Sequence, residues 1–290
     1  FDGATLPFWP FALWLVLVLF CGAPIFAVLG GLALALFWSE GQPLASVPLS
    51  HYQITVNPSL PALPLFTLAG LLFARTGAAA RLGALFTALF GNGVGGTAIA
   101  AAVLCSFFTA FTGGSGVTIL ALGGLLLPLL TKAGFPEQRG ISLVTSASAL
   151  GVLLAPSVPL IMFAIIARVP INTMFLAGVL PAVVMVVFLL LVGGYLRRGK
   201  LAVPVATQPH DFAAVWPALK AAKWELLAPL VAIGSLVSGI ATPTESAALT
   251  AAYALLTQAL AHRELDWAHM RAALVDCAEV IGGIMVILGM

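Results

Sequence analysis

Apolar runs of roughly 15 to 30 residues, separated by short charged clusters, make up most of this chain. The runs are rich in Leu, Ala and Val and do not alternate with polar positions, which predicts helices over strands. Charges mark the connections. Arg75 and Arg81 flank one, Lys132, Glu137 and Arg139 mark a second, residues 197–223 with Arg197, Arg198, Lys200, Lys220 and Lys223 form a third, and residues 262–271 a fourth. Positive charge is retained on the cytoplasmic side, so all four are expected there. Each apolar stretch between two of them then crosses an even number of times or turns back inside the membrane.

Between Arg81 and Lys132 no residue is charged, and Thr112-Gly113-Gly114-Ser115-Gly116 interrupts the stretch. The pattern is helix, Gly-rich tip, helix. The second arm, residues 117–130, rises only about 21 Å against a hydrocarbon core of roughly 30 Å, so a re-entrant hairpin is expected over about 93–130. Between Arg139 and Arg197 two apolar segments divide near Arg168-Val169-Pro170, leaving Arg168 at the outer face. The first, about 140–168, is interrupted at Gly151 and again at Ala155-Pro156-Ser157-Val158-Pro159. Proline lacks a backbone donor and obstructs the carbonyl one turn back, so a discontinuous helix is expected.

A helix over 171–196 and a cytoplasmic loop over 197–223 follow, then apolar runs at 226–239 and 244–261. Thr242, Pro243 and Glu245 satisfy the rule for a helix start, with Thr242 as cap, Pro243 in the first turn and Glu245 closing a capping box. A last apolar run begins near Cys277 and continues to Met290, so a longer parent chain is expected. Gly22-Ala23-Pro24 and the segment from Gly239 to Pro243 each precede an Ala/Leu-rich run, a weak internal repeat. Residues 1–223 are then a first inverted repeat and 224–290 the beginning of a second.

Composition sharpens the class. Of 290 residues 61% are hydrophobic and 8% charged, with a mean hydropathy of +1.13, whereas soluble domains carry about 25% charged residues. Lipid accepts such a chain only if its backbone is paired internally, which gives an all-α polytopic membrane protein. A net charge of +2 without basic-aromatic runs excludes nucleic acid as a partner. Cys21, Cys105 and Cys277 are isolated, with no disulfide or zinc spacing. The first apolar run, residues 8–37, lacks a basic leader and exceeds a signal segment in length. Gly91-Asn92-Gly93-Val94-Gly95-Gly96 fits a dinucleotide fingerprint, but its flanks are apolar helices and the glycines read as a bend. No nucleophile or metal spacing indicates an enzyme, and no organic cofactor is expected.

The two interruptions carry the candidate chemistry. Backbone carbonyls at the tip, with the hydroxyls of Thr112, Ser115 and Thr118, suit a hard monovalent cation; a turn packed through small residues fits the same sequence. At the second break one half-helix ends in exposed carbonyls and the next begins with free amides, which suit a cation and a carboxylate respectively. The proline pair alone also fits a simple kink. No Asp, Glu, Lys, Arg or His occurs between Leu82 and Thr131 or between Gly140 and Ala167. That favours sodium held by neutral oxygens over a proton relay. The candidate cation ligands are Thr112, Gly113, Ser115, Gly116, Thr118, Gly151, Ala155 and Ser157; the candidate substrate contacts are Ser115, Pro156 and Ser157.

Phe107 to Pro128 (FFTAFTGGSGVTILALGGLLLP), Gly134-Phe135 to Ser157, Gly239 to Ala248 (GIATPTESAA) and Gly22-Ala23-Pro24-Ile25 occur in this order. These segments resemble the large membrane subunit of tripartite ATP-independent periplasmic (TRAP) transporters. Gly114, Thr118 and Ala155 stand where many members have Ser, Asp and Pro. The resemblance implies a sodium-driven permease in the bacterial inner membrane, importing an organic acid such as a dicarboxylate. It implies a periplasmic substrate-binding protein and a small four-helix membrane subunit as partners, and an elevator-like motion of the hairpin domain. It also implies a second hairpin and broken helix beyond Met290. A symporter of related architecture without a binding protein and a non-transporting membrane scaffold are the alternatives.

Five cations in residues 197–223 are costly to translocate. A cysteine placed at Thr207 is expected to resist an impermeant thiol reagent in intact cells and to react after permeabilisation; ready labelling from outside reverses the topology.

Overall fold

Every regular element in the computed structural model, which describes residues 9–91, 93–196 and 212–289, is helical. The described parts of Phe1–Leu60 and Glu279–Met290 cluster as one unit and Pro61–Ala278 as another. In the smaller unit the first apolar run is two helices, α1 (Trp9–Phe20) and α2 (Ile25–Ser39), followed by α3 (Ser46–Thr55). Pro24 caps α2 without continuing α1, so the apolar run divides at Gly22-Ala23-Pro24, the segment expected to precede a helix. With 12 and 15 residues the two helices rise about 18 and 22 Å.

The larger unit begins with α4 (Ala62–Ala74) and α5 (Ala78–Phe90), bent by 73° relative to each other. Next come α6 (Val94–Thr112) and α7 (Ser115–Lys132), joined only by Gly113 and Gly114. α8 (Glu137–Leu150), a 3₁₀ turn (Gly151–Leu153) and α9 (Val158–Ala167) form the interrupted element, and α10 (Ile171–Val192) returns. Past residues 197–211, which lie outside the described residues together with most of the cation-rich loop, come α11 (Val215–Ala221), α12 (Lys223–Val237) and α13 (Pro243–Leu256). α13 continues through a π-turn (Thr257–Ala261), and α14 (Trp267–Gly289) follows.

Among the described residues, four segments are long and apolar enough to cross a membrane: Val94–Thr112, Ser115–Lys132, Glu137–Ala167 and Ile171–Val192. The bent pair α4–α5 qualifies when taken together. The protein is an integral membrane protein of several apolar helices. On α10 the side chains of Leu180, Val183, Val184, Phe188 and Leu191 are exposed, the outward apolar surface that a lipid solvent permits. The core of the larger unit is centred on α6, which packs on both α4 and α8, with Phe66, Phe73, Phe108 and Phe111 fully buried and Phe73 set edge-on to Phe111.

Two boundaries differ from expectation. α7 begins at Ser115, so the second arm has 18 residues and rises about 27 Å. Ser115 and Gly116, expected in the tip, form its first turn. The length argument for a hairpin that stops within the membrane therefore no longer applies. α14 begins ten residues before the last apolar run, because the Asp266 carboxylate accepts the His269 backbone N–H at 2.7 Å and caps a helix whose first turns carry charge.

Several of the clustered charges have partners far along the chain. Arg139 donates to the carbonyls of Gly193 and Gly194 at 3.3 and 3.0 Å, placing the second cluster at the end of α10. Arg75 and Arg81 meet acids that follow residue 224. Arg168, exposed, ends α9.

The start of α13 has the expected geometry. Glu245 N–H donates to Thr242 Oγ1 at 3.4 Å, the Glu245 carboxylate accepts Thr242 N–H at 2.8 Å, and Pro243 is the first helical residue. The Thr242 N–H, together with the Thr242 hydroxyl that donates to the same carboxylate at 2.8 Å, holds the carboxyl of Glu245 below its ordinary range. Losing a capping side chain costs about 0.5 to 2 kcal/mol. Thr242→Ala is expected to lower thermal stability by that amount without altering cation dependence; unchanged stability would contradict the structural role.

Candidate functional site: the hairpin tip and the broken helix

The tip closes through glycine. Gly113 ends α6 with φ 71°, the left-handed region that glycine enters without steric penalty, and its N–H donates to Thr109 O at 2.9 Å. Gly114 is extended and caps α7 with no side-chain bond. Threonines tie the two arms just behind the tip. Thr109 donates to Thr118 Oγ1 at 2.8 Å, Thr118 donates to the Gly114 carbonyl at 3.3 Å, and Thr112 lies 3.0 Å from the Thr118 hydroxyl and 3.4 Å from the same carbonyl. All three threonines are fully buried. Thr112 and Thr118 were expected as cation ligands; their protons are used in closing the tip, and what they retain for a cation is oxygen lone pairs. Thr109 was not foreseen, although Thr109 and Thr112 share a helix face at i, i+3.

The second break is a run of buried small residues. α8 ends at Leu150, the 3₁₀ turn follows, and Leu154 is extended. Ala155, Pro156 and Ser157 are buried, with a cis peptide between Ala155 and Pro156. α9 starts at Val158, with Pro159 in its first turn and Ser157 as its N-cap residue. The Ser157 hydroxyl makes no capping bond, is fully buried, and has no hydrogen-bond partner among the described residues. A buried hydroxyl without a partner costs roughly 1 to 3 kcal/mol. The first amides of α9 likewise lack partners within the helix.

The two breaks touch. A Cβ placed on Gly113 falls 2.6 Å from Val158 Cγ2, at the first residue of α9. On Gly151 it falls 2.6 Å from the Ser106 carbonyl oxygen and 2.6 Å from Thr109 Cβ. The tip thus rests on the start of α9 while the 3₁₀ turn rests on α6 one turn below. A third contact was not foreseen: on Gly70 of α4 a Cβ falls 2.7 Å from the Phe111 carbonyl carbon and the Thr112 amide nitrogen. One turn earlier on α4 is Thr67, another fully buried hydroxyl without a partner among the described residues.

Gly113, Thr112, Thr118, Gly151, Ala155, Pro156 and Ser157 are therefore buried within touching elements. Ser115 is half-buried and Gly116 exposed, on the open side of the tip. Nothing lies within 4 Å of a Cβ on Gly116, so the steric need for glycine expected at both positions holds at 113 alone. No group of three or more His, Cys, Asp or Glu gathers anywhere among the described residues. The donors at the breaks are neutral oxygens and amides, which fit a monovalent cation and a carboxylate better than a transition metal.

The family described as "Tripartite ATP-independent periplasmic transporter, DctM component" matches residues 12–290. The C4-dicarboxylate TRAP transporter large permease protein DctM of Rhodobacter capsulatus is 29% identical over 281 residues, 92% of this chain and 63% of that protein. The isethionate TRAP transporter permease protein DctMQ of Oleidesulfovibrio alaskensis is 31% identical across 100% of this chain and 45% of its own length. The ectoine TRAP transporter large permease protein TeaC of Halomonas elongata is 34% identical over 71% of this chain and 48% of its own length. The chain spans roughly half to two thirds of the length of these relatives.

The contrast between the two glycines is testable. Gly113→Ala forces both a positive φ and a 2.6 Å contact on a branched side chain, an expected loss of about 1 to 3 kcal/mol. Gly116→Ala is expected to be neutral or slightly stabilising, because alanine favours helix. Thermal unfolding of the two purified variants checks this; equal effects would contradict the packing.

Proposed function

Because this chain belongs to the DctM-component family of tripartite ATP-independent periplasmic transporters, we propose that it forms the membrane pathway of a sodium-coupled importer of organic acids. The observation that carries the reading is the contact between the two helix breaks, with the unpartnered Ser157 hydroxyl beside it. A sodium ion at this junction takes neutral oxygens from the tip and the break: carbonyls around Gly113, Gly151 and Ala155, and hydroxyls of Ser115 and Ser157, with lone pairs of Thr112 and Thr118 behind them. The first amides of α9, at the positive end of its dipole, face the carboxylate of the substrate. Binding the ion relieves the cost of buried, unpaired oxygens, so ion and substrate stabilise one closed arrangement of tip and break.

In this reading the protein sits in the inner membrane of a bacterium. It works with a small membrane subunit and receives its acid from a periplasmic binding protein, and the hairpin with its broken helix moves against the remaining helices. Residues 224–290 open a second, inverted repeat that completes the site. The relatives are named for a C4-dicarboxylate, isethionate and ectoine, so an acid or zwitterion with a carboxylate or sulfonate is the substrate class.

Uptake by the complete permease, reconstituted with its partner subunits, tests the reading. The Ser115→Ala, Ser157→Ala double variant is expected to raise the sodium concentration for half-maximal uptake by roughly five- to tenfold, with the protein inserted normally. A sodium dependence equal to the parent's would reduce both breaks to packing features. Uptake that needs no binding protein would instead favour the binding-protein-independent symporter.

A further inference from the structure

Away from the tip, two arginines flank the bend between α4 and α5, and three acids from the chain's later elements converge on them. Arg81 donates through Nε and Nη2 to Glu225 Oε1 at 2.9 and 2.7 Å, and through Nη1 to Glu264 Oε1 at 2.6 Å. Its Nη2 also reaches Gln258 Oε1 at 3.1 Å. Glu264 accepts the Gly77 backbone N–H, at the corner itself, through Oε2 at 2.8 Å. Arg75, which ends α4, pairs with Asp276 of α14. Glu225 is fully buried at the start of α12, and His262 Nε2 approaches its Oε1 at 3.3 Å. Burial raises the Glu264 carboxyl, but the bonds from Arg81 and Gly77 outweigh it, and the group stays below its ordinary range. A Cβ at position 77 falls 2.9 Å from Glu264 Oε1 and 3.0 Å from Arg81 Nη1, so a side chain there displaces the ends of the two bonded side chains.

The corner matters because both of its sides hold the hairpin. α4 touches the tip, where Gly70 meets the backbone of Phe111 and Thr112. α5 lies along the arms, with Gly83 against the side chains of Leu104 on α6 and Leu125 on α7. The two helices form a bracket around α6–α7, and its 73° angle fixes where the tip sits relative to α9. An arginine suits such a corner, since its planar fork bonds several oxygens at fixed angles and does not lose its charge.

We infer that Arg81 is a positioning residue for the hairpin: by tying the corner of the α4–α5 bracket to Glu225 and Glu264, it sets how the bracket presents the tip to the broken helix. This deepens the transport reading and rests on it for its functional consequence. The structural consequence stands independently, because α4 meets the tip at Gly70, five residues before Arg75, so a lock at the corner controls the order of the tip whatever the tip binds.

The test compares the complete permease with three variants. Arg81→Gln leaves Glu225 as an uncompensated buried charge and risks failing to fold. The double variant Arg81→Met, Glu225→Gln removes both charges and keeps the comparison open. Amide hydrogen exchange in the double variant is expected to rise by roughly tenfold at the corner, residues 74–81, and at the tip, residues 109–118, while α13 stays as protected as in the parent. Uptake by the same variant is expected to need several-fold more sodium for half-saturation, with maximal rate less affected. Glu264→Gln, which keeps the buried pair, is expected to give a smaller rise at the corner. Unchanged exchange at the tip, or a uniform rise across all helices, would overturn the inference. Absence of sodium-dependent uptake in the parent would instead count against the transport reading, leaving the exchange result to decide the positioning role.

Discussion

Backbone meets backbone at glycines in this protein, and the arrangement of the candidate site depends on that constraint. At Gly70, Gly113 and Gly151 a single added carbon falls within 2.7 Å of a neighbouring backbone or branched side-chain atom. In lipid, helices gain nothing from hiding apolar side chains from water, so close backbone approach and internal polar bonds carry the packing. Three such contacts converge on one hairpin: α4 at the tip, α9 beneath it, and the 3₁₀ turn against α6. The tip is thereby held beside the break, and the threonines behind it are pulled into a bonded group that keeps its two arms together.

That packing has an electrostatic consequence. Breaking a helix inside an apolar span frees carbonyls and amides, and no Asp, Glu, Lys, Arg or His between Leu82 and Thr131 or between Gly140 and Ala167 is present to meet them. The unpartnered hydroxyls of Ser157 and Thr67 lie in the same neighbourhood. A monovalent cation and a carboxylate satisfy such groups with little change in structure, whereas a proton relay needs side chains that this region lacks. Charge is concentrated elsewhere, at the corner of α4 and α5, where Arg81 joins Glu225 and Glu264. Separating the ion-free arms from a charged corner lets one region bind and the other hold geometry.

Local chemistry made part of this legible in the sequence. The tip glycines, the proline pair near Ser157 and the Thr242-to-Glu245 cap each act within a few residues, and a helix break or start appears at all three, with α7 opening two residues earlier than expected. Membership of a transporter family was legible in the order of the same segments. What depends on distant partners was not. Arg81 and Glu225 are 144 residues apart, and the two arginines read only as markers of a loop. Gly70 looked like any small residue in an apolar run, because its need for space comes from Thr112. α14 was placed too late because its first turns are polar and only Asp266 signals their start. α7 was measured too short because a Ser-Gly pair serves equally as turn or as first helical turn.

A cation held jointly by tip and break stabilises the folded form, and the effect of cations on unfolding of the purified full-length permease measures that stabilisation. A ligand that binds only the folded form at a hundred times its dissociation constant adds about 2.7 kcal/mol. Replacing choline by sodium is predicted to raise the unfolding temperature saturably in the parent, and to raise it less when Ser157 is alanine. An identical unfolding temperature in sodium and in choline would contradict the account.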